Sequence, residues 1–168
     1  MRNKLKALVA VSILALSSSA SASWTAGGGY TKISDSEDGI DINLGVAFAS
    51  VGYEFVSTNI IIMPELRLGV GVSEDKVFGV NVEVDSFIAG SVRGKLIVSD
   101  SVGVFLQPTY TRLELTASAM GQSESADDWE LGFGGGASYK LSDSASIEAI
   151  YEVIDGTDFI SFGYRSHF

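Results

Sequence analysis

The chain closes on FISFGYRSHF, residues 159–168. Ile160, Phe162, Tyr164, Ser166 and Phe168 alternate with Ser161, Gly163, Arg165 and His167. Chain ends are usually frayed and polar. Here the even positions stay apolar almost to the terminal carboxylate, which is the period-2 pattern of a strand with one covered face. What covers that face decides the fold.

The opposite end of the chain names a compartment. Arg2, Lys4 and Lys6 precede the apolar run Ala7–Leu16 and the small-residue tail SSSASA, with Ala20-Ser21-Ala22 as an A-x-A-like cleavage site. This is the three-part pattern of a secretory leader. The apolar run is too short for a membrane-spanning helix, which needs about 20 residues. Residues 1–22 are therefore expected to be removed after Ala22, leaving residues 23–168 as one domain; an uncleaved anchor is the alternative.

Composition narrows the classes further. The 168 residues contain no Cys, so neither disulfides nor Cys-held metals are available. The formal charge is −10, and loss of the three basic leader residues takes it to −13. Nucleic acid is thereby excluded as a partner, since phosphate binding needs Lys and Arg. Nineteen Gly and only two Pro suit a β-protein with close backbone approaches.

Working back from the tail, period-2 runs recur and make eight strands. Trp24 to Tyr30 form the first, about Ile40 to Val56 the second, and about Ile60 to Val72 the third. The fourth is the clearest, with Val80, Val82 and Val84, then Ile88, Val92, Leu96 and Val98. Val102 starts the fifth, Trp129 the sixth and Ile147 the seventh. Short polar turns (Ser57–Asn59, Ser99–Ser101, Ser142–Ser144) take turns with longer or more acidic connectors, the longest running from Thr116 to Asp128. An up-and-down meander joins them all. The phase slips twice: Ile40 to Phe48 against Val51 to Phe55, and Leu106 and Tyr110 against Leu113 and Leu115. Either a one-residue bulge or a projecting half outside the buried region accounts for each.

The polar alternate of these strands carries Glu54, Glu65, Arg67, Glu83, Asp85, Arg93, Lys95, Glu130, Glu148, Glu152 and Arg165. Mixed charges beside Gly and Ser suit a narrow interior, and the broad aliphatic alternate suits lipid. Only a closed sheet leaves no backbone group unpaired there. Trp24 and Trp129 open strands one and six and so fall at opposite rims, as an aromatic girdle requires. The fold expected is an all-β, eight-stranded antiparallel transmembrane barrel in a bacterial outer membrane. The alternative is a soluble lipocalin-like barrel with its apolar side inward.

On Gly52-Tyr53-Glu54-Phe55, on Glu65-Leu-Arg-Leu-Gly-Val-Gly71 and on the terminal Phe162-Gly-Tyr164-Arg-Ser-His-Phe168, the chain resembles the small outer-membrane-protein β-barrels of Gram-negative bacteria, the OmpA/OmpX type. The resemblance covers the whole chain after the leader. It implies that Phe162, Tyr164 and Phe168 form the signal read by the barrel-assembly machinery.

Eight strands enclose only enough room for side chains, so the charges are expected to pair. Arg67, Arg93, Lys95 and Arg165 would neutralise Glu54, Glu65, Glu130, Glu148 and Glu152, with acids in excess. The readings of function are a monomeric barrel acting structurally or through its acidic outer loops, a narrow pore, and a lipid-modifying enzyme. The loop acids Asp35, Glu37, Asp38, Asp41, Glu74, Asp75, Glu124, Asp127, Asp128, Asp155 and Asp158 read as a solvated rim. DSEDG fails as a Ca²⁺ loop because Gly39 and Val46 occupy ligand positions. His167 is the only histidine, and no motif marks a serine or carboxylate for it. No catalytic residue, metal site or cofactor is expected. Gly132-Phe-Gly-Gly-Gly136 reads as room for bulky neighbours.

Overall fold

The computed structural model describes residues 21–37, 40–77, 80–119 and 122–168. The leader expected over residues 1–22 lies almost wholly outside them, as do Asp38 and Gly39. Nine strands cover the described chain: β1 (Ser21–Glu37), β2 (Ile40–Ser57), β3 (Ile60–Ser73), β4 (Asp75–Val77), β5 (Val80–Ile97), β6 (Val102–Ala119), β7 (Gln122–Ser142), β8 (Ala145–Ile154) and β9 (Thr157–His167). Each pairs antiparallel with its sequence neighbour, except that β4 is the outer continuation of β3 and both pair with β5. The result is eight staves. β1 pairs with β9, Tyr30 opposite Phe162, and the sheet closes. Closure leaves no sheet edge within the barrel wall.

The apolar alternate faces outward. Leu68, Val92, Leu131 and Phe162 are 51%, 46%, 73% and 61% exposed, values that exclude the soluble alternative with its apolar side inward. Along β6 the exposed apolar face runs from Val102 to Tyr110. Eight steps at about 3.4 Å, tilted by about 40°, give about 20 Å along the axis, a band of hydrocarbon height. Trp24 meets Tyr53 edge-on at 5.0 Å near the end that holds both termini, and Trp129 stacks on Tyr110 at 4.9 Å near the other.

Inside, the filling comes in two layers, which the sequence reading did not separate. The half nearer the termini is mainly polar, with Ile61, Met63, Phe105 and Ile150 packed among the charges. The half away from the termini is a cluster of Ile33, Leu44, Val46, Val84, Phe87, Ala89, Ile154 and Phe159. This layering resolves both phase slips. In β2 the inward residues are even-numbered throughout, Leu44 and Val46 apolar, then Ser50, Gly52 and Glu54 polar or small. In β6 the inward residues are odd throughout, from Gln107 and Thr109 to Leu113 and Leu115 against the cluster. Within these two strands the pleat keeps its phase; the chemistry of the inner face changes with depth.

The true bulges lie elsewhere. The β5–β6 register shifts between Val84 and Ser86, which leaves Asp85 unpaired and turns Val84 inward. The β2–β3 register also shifts opposite Gly45/Val46, where Val72 of β3 is the extra residue. The expected 13-residue connector is a correction too. Strand pairing continues to Ala119 opposite Gln122, supported by hydroxyl contacts such as Thr116 Oγ1 to Ser125 Oγ at 2.7 Å and by an Arg112–Asp127 ion pair at 2.9 Å. Asp155 and Gly156, both at positive φ, form a two-residue hairpin turn between Ile154 and Thr157.

Candidate functional site

The inward side chains of β3, β5, β8 and β9 build a continuous charged belt. Arg67 on β3 clasps Glu152 on β8 with two prongs, Nη1 to Oε2 at 2.7 Å and Nη2 to Oε1 at 2.8 Å. Gln107 Nε2 and Thr109 Oγ1 also donate to Glu152, at 2.8 and 2.5 Å. Arg93 gives Nη1 to Glu148 at 2.7 Å and Nε to Gln107 at 2.9 Å. Arg165 donates Nε and Nη2 to Glu148 at 3.1 and 3.0 Å and also bonds Glu65. Glu65 Oε1 stands 3.6 Å from both Arg67 and Arg93. Three arginines thus interlock with three glutamates, all buried.

Two features of the wall make this crowding possible. A Cβ on Gly134 would sit 2.5 Å from Glu152 Cγ, and one on Gly136 would sit 2.6 Å from the Phe105 ring. That ring in turn lies under the Arg93 guanidinium, 3.9 Å from its centroid. Bare backbone on β7 is the space into which these side chains fold.

Of the eleven charged residues assigned to the interior, the structure brings Glu65, Arg67, Arg93, Glu148, Glu152 and Arg165 together. Glu54 and Lys95 sit lower, at the mouth by the termini. Glu83 and Asp85 do not join: the bulge at Asp85 reverses the pleat, so both are exposed, and Thr116 binds Asp85 from the rim. Glu130 stands at the rim away from the termini, where partial burial, and then the nearby charges of Asp155 and Asp128, raise its pKa. Without these three the expected excess of acid vanishes: four interior carboxylates face three guanidiniums and one ammonium.

At the mouth by the termini lies an arrangement that the sequence did not reveal. His167 Nδ1 is 3.1 Å from Glu54 Oε2, and His167 Nε2 is 3.1 Å from Ser146 Oγ. Ser146 is 21 residues away in sequence and Glu54 113. The strand registers could have suggested the group, since Thr25 pairs with His167 and Ser23 with Glu54 on neighbouring staves. These three side chains line a pocket of about 290 Å³, together with Lys95 and Lys140. Lys140 is held by Asp143 at 2.7 Å, whereas Lys95 has no carboxylate within ion-pair distance among the described residues. No group of three or more metal-ligating side chains occurs among the described residues.

A closed antiparallel barrel with a lipid-facing apolar surface and a filled, ion-paired interior defines an integral outer-membrane β-barrel. The chain belongs to the outer membrane protein beta-barrel domain family, whose model matches residues 5–165. Its place is the bacterial outer membrane. Among solved structures, the chain is similar to Ail, the attachment invasion locus protein of Yersinia pestis, in complex with the heparin analogue sucrose octasulfate (17% identity, 88% of this chain and 99% of that one, TM-score 0.66). It is also similar to the N-terminal β-barrel domain of Pseudomonas aeruginosa OprF (11%, 86% and 97%, 0.64) and to Neisserial surface protein A (15%, 89% and 99%, 0.59). At such identities these neighbours speak for the fold alone. No curated protein matches the chain in sequence.

Proposed function

We propose that the protein is a monomeric surface-interaction barrel whose outer β5–β6–β7 ribbon docks extended, basic segments of extracellular partners. One observation carries this reading. β8 pairs with β7 only from Gly132 onward, while β7 begins at Gln122 and pairs there with β6 alone. Residues 122–131 therefore offer an open strand edge, among the described residues, above the lipid band. Such edges capture extended peptides through main-chain hydrogen bonds. Exposed Glu124 and Asp128 on that edge, with Glu83 and Asp85 close by on β5, select positive charge. The same acids disfavour a polyanion such as the one in the Ail complex.

The apolar cluster that fills the outer half of the interior speaks against the pore reading, because an ion would have to cross it unhydrated. On the proposed reading the leader ends at Ala22, the short turns and both termini face the periplasm, and Phe162, Tyr164 and Phe168 address the assembly machinery.

Surface proteolysis of intact cells, cutting between Gln122 and Ala126, fixes the orientation. Docking is tested with vesicle-embedded protein and a labelled alternating Lys-Val peptide, read by fluorescence anisotropy. Removing Leu115–Ala126, which shortens the hairpin in register, should weaken binding at least about tenfold. Equal binding before and after the deletion refutes the docking role.

A further inference from the structure

We infer that Ser146, His167 and Glu54 form a serine-nucleophile site that cleaves small esters entering from the periplasmic mouth. Bond directions follow from the atoms. An ionised Glu54 carboxylate can only accept, so His167 carries a proton on Nδ1, and the neutral imidazole then offers Nε2 as an acceptor. Ser146 then donates its hydroxyl proton to Nε2. Nucleophile, base and orienting acid stand in the order, and through the ring atoms, that acyl transfer requires.

The surroundings supply what remains. The pocket of about 290 Å³ opens at the mouth and admits an acyl group of a few carbons together with water. Ser146 is 2% exposed, which holds its hydroxyl in place against His167. Lys95, on the same pocket wall, has no carboxylate within ion-pair distance among the described residues. Its stem lies over Gly103, where a Cβ would meet Lys95 Cε at 2.5 Å. Gly103 thus lets the ammonium reach the pocket. An ammonium in the same pocket as the nucleophile can stabilise a developing oxyanion.

In the reaction, Ser146 Oγ bonds to the ester carbonyl carbon and its proton passes to His167 Nε2. The carbonyl oxygen becomes an anion facing Lys95. Collapse breaks the bond to the alcohol oxygen, which leaves with the proton from Nε2. Water then adds to the acyl-serine by the same route, giving the carboxylic acid and restoring Ser146. The belt of arginines above has no part in these steps.

The test uses the full folded barrel in detergent micelles and in vesicles, its fold checked by heat-modifiable migration. A fluorophosphonate probe should label one serine, mapped to Ser146 by mass spectrometry, and p-nitrophenyl butyrate should be hydrolysed. Ser146→Ala should abolish both. His167→Gln and Glu54→Gln should each slow labelling at least about 100-fold, and Ser144→Ala should leave it unchanged. Lys95→Met should lower kcat more than it raises KM. Folded wild type that labels no faster than Ser146→Ala overturns the proposal, as does labelling indifferent to His167→Gln; the hydrogen bonds would then be structural.

Discussion

Arg67 and Glu152, 85 residues apart in sequence, meet inside the barrel with four atoms in two parallel bonds of 2.7 and 2.8 Å. Both side chains are 1% exposed, so neither charge retains water if the other is lost. Breaking such a pair on one side costs about 3–5 kcal/mol, while replacing both partners with apolar groups of similar volume is often neutral. Arg67→Met should therefore destabilise the barrel by about that much in reversible urea unfolding from lipid vesicles. Arg67→Met combined with Glu152→Leu should recover most of the loss. A double variant as weak as the single one would show that the belt is stabilised by something other than charge neutralisation.

The apolar layer makes a second, independent closure. Phe87 and Phe159 pack with ring centroids 6.5 Å apart, and Arg67 lies 5.8 Å beneath the Phe87 centroid. Phe87→Ala removes a large, fully buried side chain and should cost about 3–5 kcal/mol. It should still give no discrete current in planar bilayers, because the ion-paired belt below it remains shut. Unitary conductance in the wild type or in Phe87→Ala would overturn the filled-interior reading.

At the outer corner Asp75 accepts hydrogen bonds from the backbone amides of Asn43 and Lys76, each at 2.7 Å. It lies beyond Val72, an exposed apolar residue of its stave, and so outside the lipid band. The two amide bonds, Asn43's first, hold its carboxyl below the ordinary carboxylate range. A pKa lower when folded than when unfolded means the tether is intact above the unfolded value, about 3.9. It is lost as pH falls through the lower folded value. The Asn43 and Lys76 amide resonances should titrate together with a midpoint below about 3.9, and Asp75→Asn should abolish that titration. A midpoint at or above the free value would mean that the tether does not hold in solution.

The sequence exposed the lipid-facing side plainly, because hydrocarbon is the same at every depth and imposes period 2 without interruption. Leu66, Leu68 and Val70, or Val102, Val104 and Leu106, are legible on inspection. The inner face was harder. Val84 reads as outward in the sequence because nothing local marks the Asp85 bulge, and the same step carries Glu83 and Asp85 inside. Leu44 and Leu113 looked out of phase because a polar interior was assumed at all depths. The Ser146–His167–Glu54 group depends on registers among four staves. No short stretch of chain contains them.

Phe168 supplies the last prediction. Its amide donates to Trp24 O at 3.0 Å, yet its side chain is 77% exposed, among the most open apolar surfaces of the protein. A side chain that contacts so little contributes little to the finished fold, and surface substitutions of this kind usually stay within about 0.5 kcal/mol. If Phe168 is instead read by the assembly machinery, its loss must act on the rate of insertion in cells. Phe168→Ala should thus fold into pure lipid vesicles with wild-type yield and unfold at the same urea concentration. In cells, heat-modifiable barrel in the outer membrane should fall several-fold while the exported precursor accumulates or is degraded. Equal loss in vesicles and in cells would make the residue a structural one, and no loss in either would remove its role as an address.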